Sequence, residues 1–302
     1  MKTFFLFLIF LILSTPLLSQ DTTNIATDEE LGELKGALDG MNESMLEMKT
    51  TLDVLKKIKV SGYIQAQFQI ADAAGAKSLA GGDFPAFSDS RFQVRRGRVK
   101  VNYDNDLTQA VLQIDVTQGG VGIKDAYVSI KEPWLRTIGL TAGVFDRPFG
   151  FEISYSSSSR ETPERSRMYQ TLFPGERDLG AKIEIIPEYG TLSYFNLKAG
   201  IFNGVLPNAN ENDNNKDFIG RLGFSLPFEE ENLAIDGGFS LYSGKVLSNN
   251  SKVYEIDNSA PTKLYKLHSA TSDSLNTFGR TYYGFDVQTY YDLPVLGGMS
   301  LR

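Results

Sequence analysis

The chain contains no cysteine, so neither a disulfide framework nor a lipid anchor on an N-terminal cysteine is open to it. Beyond the first twenty residues it also lacks any run approaching the ~20 apolar residues that a membrane-spanning helix needs. Basic residues are outnumbered 30 to 37, and a net charge of −7 argues against general nucleic-acid binding. Histidine and tryptophan are nearly absent, with His268 and Trp134 the only examples. What is abundant is glycine (28), phenylalanine (20) and tyrosine (14). That composition suits membrane barrels, but large β-sandwiches share it.

The N-terminus has the layout of an export signal. Lys2 supplies a small positive region, 4–13 is an apolar core, and Ser14, Thr15 and Pro16 lead into a plausible cleavage region before residue 20. After a polar leader at 21–27, Leu31, Leu34, Leu38, Met41, Met45, Met48, Leu52 and Leu55 are spaced alternately three and four apart, with Glu, Lys, Asp and Asn between them. An apolar seam of period 3.5 predicts a coiled-coil helix in a segment spanning 21–57. A single amphipathic helix lying on another element would satisfy the same spacing. Gly32, Gly36 and Gly40 each cost such a helix about 1 kcal/mol.

From Val60 the period changes to two. Val60, Ile64, Ala66, Phe68 and Ile70 share one face, and Ser61, Tyr63, Gln65, Gln67 and Gln69 the other. The same alternation recurs through the chain, and the count reaches ten strands and the start of an eleventh at 299–302. Tight turns rich in Pro, Asn, Asp and Gly at 103–107, 132–135, 187–191, 227–232 and 293–298 alternate with long polar connectors at 71–90, 146–177, 203–216 and 244–279; only 118–121 breaks the rule. Short turns at one end and long loops at the other are the layout of a transmembrane antiparallel β-barrel, expected over 58–302. A closed barrel from one bacterial chain has an even strand number, so the expectation is a C-terminally truncated barrel.

No catalytic set stands out. Pairing His268 with a serine of 156–159 would imitate a hydrolase, but nothing in the sequence brings them together. The Asn-rich run at 208–213 reads as a solvated loop tip, and the residues ask for no cofactor and no metal. Charge on the polar parity carries more information. Arg96, Arg98 and Lys100 share it, as do Lys182, Lys198 and Arg221, against Asp115, Asp125, Glu184, Asp236 and Asp286. The expectation is therefore a local basic stripe at 91–100. The connector at 146–177 interleaves Arg160, Arg165, Arg167 and Arg177 with Glu161, Glu164 and Glu176; folded inward, it would bring guanidinium groups to that stripe.

Several segments resemble one family. Phe92-Gln93-Val94-Arg95-Arg96-Gly97-Arg98-Val99, Lys124-Asp125-Ala126-Tyr127-Val128 with Trp134-Leu135, and Gly143-Val144-Phe145-Asp146-Arg147-Pro148-Phe149-Gly150 are similar to segments of the phosphate-selective porin O and P family. Glu164-Arg165-Ser166 and Gly175-Glu176-Arg177-Asp178-Leu179-Gly180 resemble its central region. The resemblance implies a 16-stranded trimeric barrel in the outer membrane of a Gram-negative bacterium, passing small solutes or ions. It also implies an anion site built from the pair matched by Arg95 and Arg96 together with basic residues of an inward loop. Strict alternation puts Arg95 on the apolar face unless a bulge intervenes. The family's basic residue in the Pro-Phe-Gly segment is here Asp146, with Arg147 beside it. The sequence thus predicts a porin with at most a mild anion preference, no enzyme. An outer-membrane structural or adhesion barrel held to the cell wall by its coiled coil is the alternative.

Overall fold

A computed structural model describes residues 28–302 except 79, 249–252, 260–263, 269–275, 294 and 296. The expected signal and leader lie outside the described residues. The chain divides into two compact units near residue 55. The first contains helix α1, Asp28–Lys56, with Asp28, Glu29 and Glu30 in its first turn and Lys56 in its last, charges that complement the helix dipole. None of its residues is buried, and the eight seam side chains are 45–69% exposed. The segment expected to form a coiled coil is helical.

The second unit is an antiparallel sheet of eleven strands: β1 (Ile58–Ile70), β2 (Ser90–Asn105), β3 (Thr108–Thr117), β4 (Gly120–Lys131), β5 (Ile138–Asp146), β6 (Arg177–Ile185), β7 (Phe195–Phe202), β8 (Asp217–Phe228), β9 (Leu233–Ser248), β12 (Asn276–Leu293) and β13 (Gly297–Leu301). They pair in chain order from β1 to β9, then β12 and β13. These are the ten strands and the eleventh's start that alternation predicts. The long connector between β9 and β12 holds an unexpected hairpin, β10 (Val253–Asp257) and β11 (Leu264–His268). Its five-residue strands are too short for alternation to stand out in a polar stretch.

The two faces of the sheet invert the usual burial. Ile64, Phe92, Leu112, Val128, Leu140, Ile183, Ile201, Leu222, Phe239 and Phe285 project from one face and are exposed. On the other, Arg96, Asp125, Thr141, Asp178, Asp217, Ser240 and Gln288 are buried. The connector at 147–176, which includes a short helix, α2 (Arg167–Leu172), lies against this face and bonds Arg96 through Pro163 and Glu164 and Ser240 through the Gly150 amide. The sheet curls around it. The Ser157 hydroxyl meets the Tyr63 hydroxyl of β1 at 2.6 Å, while the Tyr155 hydroxyl accepts from Arg302, next to β13, at 2.7 Å. A flat sheet of eleven strands would hold its edges roughly 48 Å apart, beyond the reach of two residues this close in the chain.

Candidate functional site

The loop at 147–176 leaves β5 through a turn built on a glycine. Gly150 has φ +64°, and a Cβ there would overlap the Tyr169 hydroxyl. Phe149, Ile153, Tyr169 and Phe173 of the loop then pack against Phe145, Phe202, Ile219 and Tyr242 of the sheet. Phe173 is the hub, with ring centroids 4.8 Å from Phe149, 5.8 Å from Tyr169 and Tyr242, and 5.6 Å from Tyr282. The Arg147 guanidinium lies over the Phe173 ring and donates to the carbonyls of Pro174 and Glu176. Arg147 therefore staples the two ends of the loop together.

Opposite this apolar seat, the loop meets β2 and β4 through charge. The register of β1 against β2 slips between Gln65 and Ala66, so that Gln65 pairs with Arg96, Ala66 pairs with Val94, and Arg95 has no partner. This bulge overturns the alternation that puts Arg95 on the apolar face: both arginines reach the loop. Arg95 donates from Nε at 2.5 Å and from Nη2 at 2.9 Å to the two Glu164 oxygens, and Arg96 Nη2 adds a third bond at 2.9 Å. Arg96 also reaches Gln65 Oε1 at 2.6 Å and the Pro163 carbonyl at 3.0 Å.

A second slip, between Gln113 and Ile114, leaves Lys124 unpaired in β4 and turns it inward as well. Its Nζ donates to Glu176 at 2.8 Å, and Glu176 also accepts from Arg165 and, at 3.0 Å, from Arg177. Burial alone would raise the Glu176 carboxyl, but the three cations outweigh it and hold the group at about 2. Glu176 adopts φ +64° directly after Gly175 at +74°, a left-handed pair that a glutamate enters only under local constraint. Arg165 is buried and is lowered to about 10 by that burial, which leaves it charged at neutral pH.

The predicted basic residues are only partly assembled. Arg95, Arg96, Arg98, Arg160 and Arg165 converge between β2 and the loop. Arg98 is bound to Asp115 at 3.1 Å, Tyr63 at 2.8 Å and Ser157 at 2.7 Å. Arg160 donates weakly to the Pro163 carbonyl, and its Nε and Nη1 are buried without an acceptor among the described residues. Lys100 has no ion-pair partner there. Arg167 does not join: it is exposed in the first turn of α2, a turn that Ser166 caps. Lys182 and Lys198 share Glu184, and Arg221 binds Asp286, so those cations are neutralised within the sheet.

Alternation misses Lys124, yet a signal is present. Arg95-Arg96 and Lys124-Asp125 are adjacent charged pairs inside strands of period two, where one member of each pair would otherwise face the apolar side. Comparison with known proteins adds no relative. No protein-family model matches the chain, and no curated protein does.

Beside the charged seat lies a cavity of about 440 Å³, walled by Tyr63, Arg98, Lys100, Gln113 and Asp125 of the strands and by serines of 154–158. Its lining carries serine and tyrosine hydroxyls, the cations Arg98, Lys100, Arg165 and Arg177, and the Asp125 carboxylate.

Proposed function

We propose that the curled sheet is the wall of an outer-membrane β-barrel of the porin O and P type. It would let small hydrophilic solutes cross passively, with a mild local preference for anions. One observation carries this reading: the inverted faces. Apolar side chains cover the outer face from β1 to β13 and charged side chains are buried on the inner one, the arrangement that suits lipid outside and a polar interior within. Tight turns at one end and long connectors at the other support it, as does the inward loop. In this reading Arg96, Arg98 and Lys100 form the basic stripe and Arg160 and Arg165 face it from the loop. The carboxylates of Glu164, Asp115 and Glu176 offset most of that charge. The field of the remaining cations reaches about 8 Å at physiological salt, enough to bias a narrow passage but not to exclude cations. The exposed seam of α1 supports a homotrimer joined by a coiled coil, and the signal sequence supports export to the outer membrane.

A second reading has an observation of its own. The aromatic packing beneath the loop fills part of the inner face, which also suits a plugged barrel that serves as an anchor.

Planar bilayers separate the two. The purified full chain is expected to insert as stepwise ohmic channels whose reversal potential in a salt gradient has the anion sign. Arg96→Glu combined with Arg98→Glu should move that potential towards cations. Folded protein that never conducts would leave the anchor reading standing. A cation-selective wild type would remove the arginine stripe from the mechanism.

A further inference from the structure

The cavity between β1–β4 and the serine turn has a composition that a simple anion filter does not require. Three of its four cations are already held: Arg98 by Asp115, Arg177 by Asp125 and Glu176, and Arg165 by Glu176. Among the described residues, Lys100 is left as the one charge on the wall without an ion-pair partner. Around it stand the Tyr63 hydroxyl, the amide of Gln113 and the hydroxyls of Ser154, Ser156 and Ser158. Ser154 donates to the Phe151 carbonyl at 3.0 Å and can still accept, and Ser156 and Ser158 bond each other at 2.8 Å, which leaves one of their hydroxyl hydrogens to donate. Ser157 is engaged, bonding Tyr63 at 2.6 Å and Arg98 at 2.7 Å, and so fixes the wall from behind. The Asp125 carboxylate, one oxygen of which accepts from Arg177 Nε at 2.9 Å, adds a further acceptor.

We propose that this cavity is a binding subsite for a hydroxyl-rich monoanion, a sugar carboxylate. Lys100 takes the carboxylate, while Gln113, Asp125 and the serine hydroxyls take the polyol. The volume, about 440 Å³, lies within the roughly 300–1,000 Å³ usual for small-molecule sites. A bare dianion is disfavoured there, because one free ammonium would have to balance two charges. An uncharged sugar would leave Lys100 unpaired, and a small carboxylate such as acetate would leave the hydroxyl wall unsatisfied. The proposal rests on the porin reading for the route by which the solute arrives, since it names the class of solute that the passage would retain.

Calorimetric titration of the detergent-solubilised full chain tests it without needing a conducting pore. Gluconate, acetate, glucose and inorganic phosphate are the probes. Gluconate is expected to bind at least about tenfold more tightly than either acetate or glucose, because it alone meets both parts of the site. Lys100→Gln should reduce gluconate to the level of glucose, and Lys100→Arg should restore most of the difference, which separates lost charge from lost folding. Acetate equal to gluconate, phosphate tighter than gluconate, or gluconate unaffected by Lys100→Gln would each overturn the proposal. Gluconate bound by a protein that forms no channels would leave the subsite intact and defeat the porin reading. Channels without gluconate binding would do the reverse.

Discussion

Where the loop at 147–176 meets β5, β7, β8, β9 and β12, it rests on rings and aliphatic side chains: Phe145, Phe202, Ile219, Tyr242 and Tyr282. Where it meets β2 and β4, it rests on Arg95, Arg96 and Lys124. The two seats hold one segment by unlike means. The apolar seat is cumulative, since each well-placed aromatic pair adds about 0.5–1.5 kcal/mol beyond the burial of its area. The charged seat is formed from groups that had to leave water, so its net contribution is small while the penalty for removing one partner is large. The comparison teaches a division of labour. Aromatic packing holds the loop inside the curl, and the ion pairs set which charged groups it presents.

The largest effect should come from breaking the apolar seat. Phe173→Ala empties the hub and is expected to cost about 3–5 kcal/mol, the usual range for a buried phenylalanine. Limited proteolysis should then cut within 147–176 in folded protein, with the sheet spectrum unchanged. A loop still protected would show that the charged seat suffices alone.

Glu176→Gln is the matching break on the other side. It leaves Lys124, Arg165 and Arg177 crowded without their shared carboxylate, at an expected cost of about 2–3 kcal/mol, less than for a fully enclosed pair because Glu176 keeps some contact with solvent. The pH dependence has a definite sign. A carboxyl held at about 2 in the fold, against an ordinary value of about 4.3, contributes fully above pH ~4.5 and progressively less as pH falls, reaching nothing below about 2. Loop protection in the wild type should therefore weaken across that acid window, and Glu176→Gln should flatten the profile. A variant with the wild-type profile would show that Glu176 does not secure the loop.

The smallest effect sharpens the role of the first bulge. Arg95→Lys keeps the charge but gives up the planar fork that spans both Glu164 oxygens. About 1 kcal/mol of thermal stability should be lost. A loss as large as that from Phe173→Ala would mean that the charged seat also anchors.

Much of the architecture was legible in the chain. The heptad from Leu31 to Leu55 specified a helix because eight apolar residues at period 3.5 can share only a helical face. Period-two alternation specified eleven sheet strands and their two faces because successive side chains in a strand must point to opposite sides. Arg96, Arg98 and Lys100 followed from parity alone. Parity could not place Arg95 or Lys124, because a bulge is a local misfit between two particular strands and exists only once they are paired. Nor could spacing show that Arg160 and Arg165 face the stripe while Arg167 does not, or that Phe149, Tyr169 and Phe173 share one pocket. Those outcomes depend on where a thirty-residue connector comes to rest, which is decided by the curl of the sheet that encloses it. Periodic elements carry their geometry in their own sequence, whereas an irregular loop takes its geometry from the surface on which it packs.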